Sequence, residues 1–395
     1  MSGPLSGLRV IEMGSLIAGP FCGQLMGDMG AEVIKLESPG EGDPMRLWGQ
    51  GEKPSWWRVI ARNKMSVSLN LREPRGQEIA RALIAKSDIL IENFRPGTLE
   101  KWGMSPETLH AENPGLIIVR VSGYGQTGPY ADRAGFGSVG EAMGGWRYLV
   151  GEPDRPPSRM GISIGDTLAA TYGCMGALAA LHHRSQTGKG QVVDSALYEA
   201  VLQVTESLVA DYGASGFMRE RSGSILPKIA PSNAYPCLDG EIVIGANQDK
   251  VFARLCDVME QPDLAEDPRY RTHLARGERQ AELDAIVAEW TSKRKLADVD
   301  ALMAKAGVPA GPVYRPDQIL ADPHFAAREA IVWQAHEKLG RIPMQSAFPK
   351  LSETPGSALR RPAPDVVGQH NREVLGDLLG FSDSDLASLE KAGVV

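Results

Sequence analysis

The sequence predicts an α/β protein, with a large domain on a mainly parallel β-sheet and a smaller α+β domain inserted into it. Three observations predict this. Short apolar runs alternate with helical patterns through the first third of the chain. A long, glycine-studded apolar helix follows in the middle. Two irregular stretches, 212–232 and 307–330, then bracket a compact segment at 233–306, which divides the large domain into 1–211 and 331–395.

In chain order, LRVIEM at 8–13 suits a buried strand. A Gly-Pro turn leads into an apolar helix from Phe21 to Met29, stopped by Gly30, and EVIKLE at 32–37 is the next strand. A helix over 76–86 precedes the strand DILIENF at 88–94. Ser105-Pro106 reads as an N-cap with proline at the first helical position, and Leu116–Val121 is a further β-rich run. Strands separated by helices of this length make βαβ units, whose right-handed crossovers gather the strand carboxyl ends on one side. Leu168, Tyr172, Met175, Leu178 and Leu181 recur at helical spacing, and a second long helix is expected from Ser195 to Val209. The inserted segment carries a strand at 241–245 and helices near 250–259 and 279–290. Beyond Ile331 the chain reads as irregular and proline-rich, with a short final helical region.

Composition narrows the function. Of 395 residues, 43% are hydrophobic and 23% charged, as in an ordinary globular protein, and the net charge of −7 carries no general affinity for nucleic acid. The start, MSGPLSGLRV, has no charged segment ahead of an apolar one, so a cytoplasmic location is expected. The apolar run 168–181 is too short for a membrane span and reads as a buried helix. Cys22, Cys174, Cys237 and Cys256 form no C-x-x-C pair, and His182 and His183 are adjacent, so no metal site is expected. P-loop, G-x-G-x-x-G and G-x-S-x-G patterns are absent, against nucleotide-dependent transfer, a nicotinamide-dependent dehydrogenase and a serine hydrolase.

Asp166, in GISIGDTLAA directly before the long helix, has two readings. It is an N-cap, accepting a hydrogen bond from the free N–H groups of the first turn. Or it is a fixed, ionised carboxylate that attacks a carbonyl, with those N–H groups stabilising the oxyanion. Spacing alone leaves both open.

LSGLRVIEMGSLIAGPFCGQLMGDMGAEVIKLE at 5–37 resembles the opening of class III CoA-transferases, the family of formyl-CoA transferase and carnitine CoA-transferase. GDPMR at 42–46, ARNKMSVSLNL at 61–71, ENFRPGTLEKWG at 92–103, NPGLIIVRVSGYGQTGPY at 113–130, GISIGD at 161–166 and TGKGQVVDSALYEA at 187–200 continue the resemblance. GVPAGPV at 307–313 and LADPHFAAR at 320–328 complete it. The resemblance implies a Rossmann-like large domain built from both chain ends, and two chains interlocked as a homodimer. It also implies Asp166 as the nucleophile, working through a mixed anhydride and an aspartyl-CoA thioester. The partners are an acyl-CoA and a free carboxylic acid, with no metal or redox cofactor, no nucleic acid and no membrane.

Matched to family motifs, Lys64, Asn93, Phe94 and Lys101 are expected along the coenzyme: cations beside its phosphates, Phe94 against the adenine. The plainer readings are surface lysines and a core phenylalanine. Ile17 stands where formyl-CoA transferase has a glutamine before AGP, and the glycine-tetrad loop has no counterpart, which argues against formyl or oxalyl transfer. The alternative is epimerisation of an acyl-CoA, as in α-methylacyl-CoA racemase. That pattern places a histidine where this chain has Phe136. The run 136–166 is similar to members that pass CoA from succinyl-CoA to small dicarboxylic or hydroxy-dicarboxylic acids. A distal carboxylate needs a cation, for which Arg46 is the first candidate and Arg147 and Arg159 the next; each also reads as a surface or structural arginine.

Overall fold

The computed structural model describes residues 3–49 and 55–395. The chain divides into two compact units. One comprises residues 1–147, 160–216 and 324–395, the other residues 148–159 and 217–323.

The first unit is organised by a six-stranded, wholly parallel sheet. Its strands are β1 (Arg9–Glu12), β2 (Glu32–Glu37), β3 (Lys64–Ser68), β4 (Ile89–Glu92), β5 (Ile117–Ser122) and β6 (Val192–Ala196), in the spatial order β3-β2-β1-β4-β5-β6. This is the doubly wound order in which chain direction switches between β1 and β4, so a crevice opens beyond their carboxyl ends. Alternation along the strands sends Ile11, Ile34, Leu90 and Ile118 to one face and Val10, Val33, Ile89, Ile117 and Val119 to the other.

Helix α1 (Ala18–Asp28) and α2 (Pro74–Ile84) start the covering layers. The second face is covered by α1 and the 24-residue α4 (Ile164–Thr187), through Ala18, Cys22, Met26, Ala169, Ala170 and Ala177. Short helices α3 (Gly137–Met143) and α5 (Leu197–Leu202) flank the amino end of α4. The first face takes α2 and the C-terminal segment through Val374, Leu375, Leu386 and Leu389.

Several expectations are corrected. The unit draws on both chain ends, but its sheet does not: all six strands lie within residues 9–196, and the C-terminal segment packs as a layer. The stretch after Ile331 is not irregular throughout, since β10 (Ile331–His336) and β11 (Gly340–Gln345) pair as an antiparallel hairpin. The long helix expected from Ser195 is instead the end of β6, then α5, then a separate helix Leu208–Ser215, with Glu206 between them at φ 55°. The apolar run at 168–181 lies inside a helix long and apolar enough to cross a membrane, and that helix is buried on one face only. Here its buried alanines and Gly173 lie against the sheet, with Gly173 close to Val119.

The second unit is a three-stranded antiparallel sheet, β7 (Ser232–Cys237), β8 (Gly240–Gly245) and β9 (Ala310–Pro312), with helices Asp249–Val258, Gln280–Thr291 and Leu296–Ala306 around a core of Ile242, Ile244, Phe252, Leu283 and Val287. β9 and the helix Pro316–Ala321 fall inside the stretch read from the sequence as the second linker.

Candidate active site

Asp166 is the third residue of α4, whose N-cap is Ser163; the helix therefore starts three residues earlier than the sequence suggests, and Asp166 is not the cap. Thr167 N–H makes the first helical bond, to Ser163 O at 3.1 Å, leaving the preceding N–H groups without intrahelical acceptors. A carboxylate in this turn lies at the positive end of the helix. Asp166 is half-buried, and its position is enforced by a neighbour without a side chain. A Cβ on Gly137, the first residue of α3, would stand 2.0 Å from Asp166 Oδ2. A Cβ on Gly165 would meet Gly137 O at 2.9 Å, so the two helix starts touch backbone to backbone.

The carboxylate lines a cleft of about 170 Å³ at the carboxyl end of the sheet. The wall opposite is the turn after β1, Ser15 to Ala18; Asn93, just past β4, contributes beside it, and Val121, Phe136 and Leu197 add apolar surface. Residues opening α1, α4 and α5, and the cap of α3, thus face one space, which suits developing negative charge.

Beneath the turn lies a network of buried charges. Lys35 Nζ reaches Glu12 Oε1 at 2.9 Å, Asp43 Oδ2 at 2.8 Å and Gly14 O at 2.8 Å. Lys64 Nζ reaches Glu12 Oε2 at 2.7 Å and Pro20 O at 2.6 Å. Arg46 grips Glu37 with two bonds, Nε–Oε2 at 2.7 Å and Nη2–Oε1 at 2.8 Å, and its guanidinium stacks 4.0 Å from the Trp57 ring centre. Burial alone would push the Glu37 and Asp43 carboxyls up. Arg46 and Lys35 outweigh it for Glu37, and Lys35 for Asp43, so both stay below the ordinary carboxylate range. Burial also opposes the charge on Lys35, but Glu12 and Asp43 outweigh it and raise its pKa; for Lys64 burial prevails and its pKa is lowered.

These placements separate the expected site residues. Asp166 and Asn93 share the cleft. Asn93 bonds the main chain of Ser15 from both ends of its amide, Oδ1 accepting from Ser15 N–H and Nδ2 donating to Ser15 O, each at 2.9 Å. Lys64 does not present a cation to a coenzyme phosphate: its side chain is 0% exposed and committed to Glu12. Phe94 packs edge-on against Trp102, ring centres 5.1 Å apart, against the apolar core, which is its plainer reading. Lys101 is exposed at the end of the short helix Thr98–Lys101.

Arg46 is outside the Asp166 cleft. It borders a separate groove of about 820 Å³ with Trp57, Arg58 and Asn371, and its paired guanidinium is structural. That groove is larger and is lined by the carboxylates of Glu41, Asp365 and Glu390, but it does not contain Asp166, the carboxylate singled out by the resemblance of GISIGD. Arg147 pairs with Glu141 at 2.8 Å, and Arg159 is exposed in the 148–159 segment of the second unit. Among the described residues lining the cleft there is no lysine, arginine or histidine.

Sequence reasoning passed over Lys35, Asp43 and Gly137. The first had a signal: a charge flanked on both sides by apolar strand residues, as in EVIKLE, must be buried and therefore paired. No group of three or more candidate metal ligands occurs among the described residues.

The family model for CoA-transferase family III matches residues 5–371. A succinyl-CoA–D-citramalate CoA-transferase of Chloroflexus aurantiacus is 54% identical over 397 residues, covering 99% of this chain and 98% of the relative. The succinate–glutarate CoA-transferase of Agrobacterium fabrum is 36% identical, over 95% of this chain and 96% of its own. Among solved structures, a CAIB/BAIF family protein from Brucella suis superposes with a TM-score of 0.85 at 36% identity, covering 96% of this chain and 100% of that one.

Proposed function

This chain belongs to CoA-transferase family III, and from that premise we propose that it moves coenzyme A from succinyl-CoA to a small dicarboxylic or hydroxy-dicarboxylic acid, citramalate first among them, with Asp166 as the covalent nucleophile. The observation that carries the reading is the Asp166 carboxylate held against Gly137 at the amino end of α4, inside a cleft at the sheet's carboxyl edge. Relatives named for succinyl-CoA with citramalate, malate or glutarate support the substrate class.

The chemistry balances without a cofactor. An Asp166 oxygen attacks the thioester carbonyl, and the C–S bond breaks to give a mixed anhydride and CoA thiolate. The thiolate attacks the Asp166 acyl carbon, releasing succinate and leaving an aspartyl-CoA thioester. The acceptor carboxylate then attacks that thioester, and the same two steps run backwards to give the acceptor-CoA and free Asp166. Each tetrahedral oxyanion requires hydrogen-bond donors, for which the backbone N–H groups in the first turn of α4 are the candidates. Ile17, Val121, Phe136 and Leu197 limit water, which would hydrolyse both intermediates. Phe136 borders the cleft where the racemase pattern requires a base, and this disfavours epimerisation.

Asp166→Ala is expected to abolish turnover and to lose the covalent adduct that mass spectrometry detects on Asp166 after incubation with succinyl-CoA. Retained transfer in that variant would sink the assignment. A chromatographic panel of CoA donors against free acids should rank small dicarboxylic acids above monocarboxylic and aromatic ones. A monocarboxylic acid as best acceptor would remove the substrate class and leave the transferase reading standing.

A further inference from the structure

The turn between β1 and α1 forms one wall of the Asp166 cleft, and other elements impose its conformation. Leu16 sits at φ 62°, a left-handed conformation that a leucine does not hold unless its surroundings fix it. Three side chains pin the turn: Asn93 brackets Ser15, Asp43 Oδ1 accepts from Leu16 N–H at 3.1 Å, and Lys35 Nζ donates to Gly14 O at 2.8 Å. Lys35 and Asp43 also pair with each other at 2.8 Å, and each side chain is 1% exposed. The turn delivers the chain into Ala18, the first residue of α1, which lines the cleft and whose N–H has no intrahelical acceptor.

We propose that Lys35 and Asp43 are positioning residues for CoA transfer. Their buried ion pair locks the Gly14–Ala18 turn so that the Ala18 N–H, at the opening of α1, meets the oxyanion that forms at Asp166. Neither side chain lines the cleft. They act through the backbone they hold, and the proposal rests on the assignment of Asp166 as nucleophile. Electrostatic stabilisation of this kind depends on donors fixed before the reaction, and a displacement near 1 Å is enough to lose about 100-fold in rate.

Asp43→Asn keeps an oxygen to accept from Leu16 but loses the charge, whereas Asp43→Ala loses both. The double variant Lys35→Met/Asp43→Asn removes both charges at once and leaves Glu12 paired with Lys64. In the folded double variant, kcat is expected to fall about 10- to 100-fold while KM for succinyl-CoA stays within about threefold. Asp43→Asn is expected to retain more kcat than Asp43→Ala. Wild-type kcat in the folded double variant, or equal kcat in the two Asp43 variants, overturns the proposal.

If the variants do not fold, hydrogen exchange on the wild-type enzyme decides. The Leu16 amide must be protected to the degree of the β1 amides, and exchange at the rate of an open loop overturns the proposal. Asp166→Ala run in parallel separates the two assignments. Turnover in that variant overturns both, while an inactive Asp166→Ala beside an unimpaired double variant removes the positioning role alone.

Discussion

At Gly137 a single added carbon would lie 2.0 Å from the Asp166 carboxylate, so residue 137 controls the place of that carboxylate by leaving space. Gly137→Ala is expected to swing the carboxylate aside and lower kcat about 100-fold, with KM for succinyl-CoA little changed. Thermal unfolding of the variant reports whether the fold has suffered; wild-type kcat in a folded Gly137→Ala enzyme would show that this contact does not place Asp166. The sequence singles out Asp166 through the resemblance of GISIGD but gives no sign of Gly137, whose contact depends on two helix starts meeting across 28 residues. Lys64 and Arg46 were misjudged for a related reason. A cation in a matching motif carries no mark of its exposure, and here Glu12 and Glu37 hold the two charges inside.

Among the elements, β2 was the most legible and also supplies the most buried charge. Glu37, at its carboxyl end, is pushed up by burial and pulled further down by Arg46 and Lys35, so its folded pKa lies below the ordinary 4.5. A carboxyl depressed in the folded state contributes stability above its unfolded value and loses that contribution as pH falls through the folded one. Urea unfolding of the wild type is therefore expected to weaken below about pH 4.5, with a shallower loss in Glu37→Gln, which has nothing to protonate there. Identical slopes in the two proteins would exclude Glu37 from the acid response. Within the six-stranded sheet, the strands missed were β3 and β6. In β3, Met65 and Val67 alternate with serines, but flanking Asn63 and Asn70 obscure a run only five residues long. In β6, Val192-Val193 gives way at once to Asp194-Ser195, and the apolar residues that follow belong to α5.

On the scale of the whole molecule, local pattern gave the alternation of strands and helices but not what the chain ends do. The C-terminal segment reads as irregular because its apolar residues, Val374, Leu375, Leu386 and Leu389, are spread along short helices, and only the sheet face they cover makes sense of them. A second surface has no such partner among the described residues. On α4, Met175 is 58% and Leu178 44% exposed, and Val192 at the start of the edge strand β6 is 38% exposed. Apolar side chains grouped on a helix face and an adjoining sheet edge are expected to be covered by another protein surface, and a second copy of this chain is the occupant we propose. Equilibrium sedimentation should then give about 85 kDa, twice the 42.5 kDa of one chain, at every concentration that permits detection. An interlocked pair would hold this mass on dilution until it unfolds, whereas a face-to-face dimer would dissociate in Met175→Lys/Leu178→Lys. A folded wild-type species at the mass of one chain would refute the dimer and leave the exposed face of α4 to some other surface.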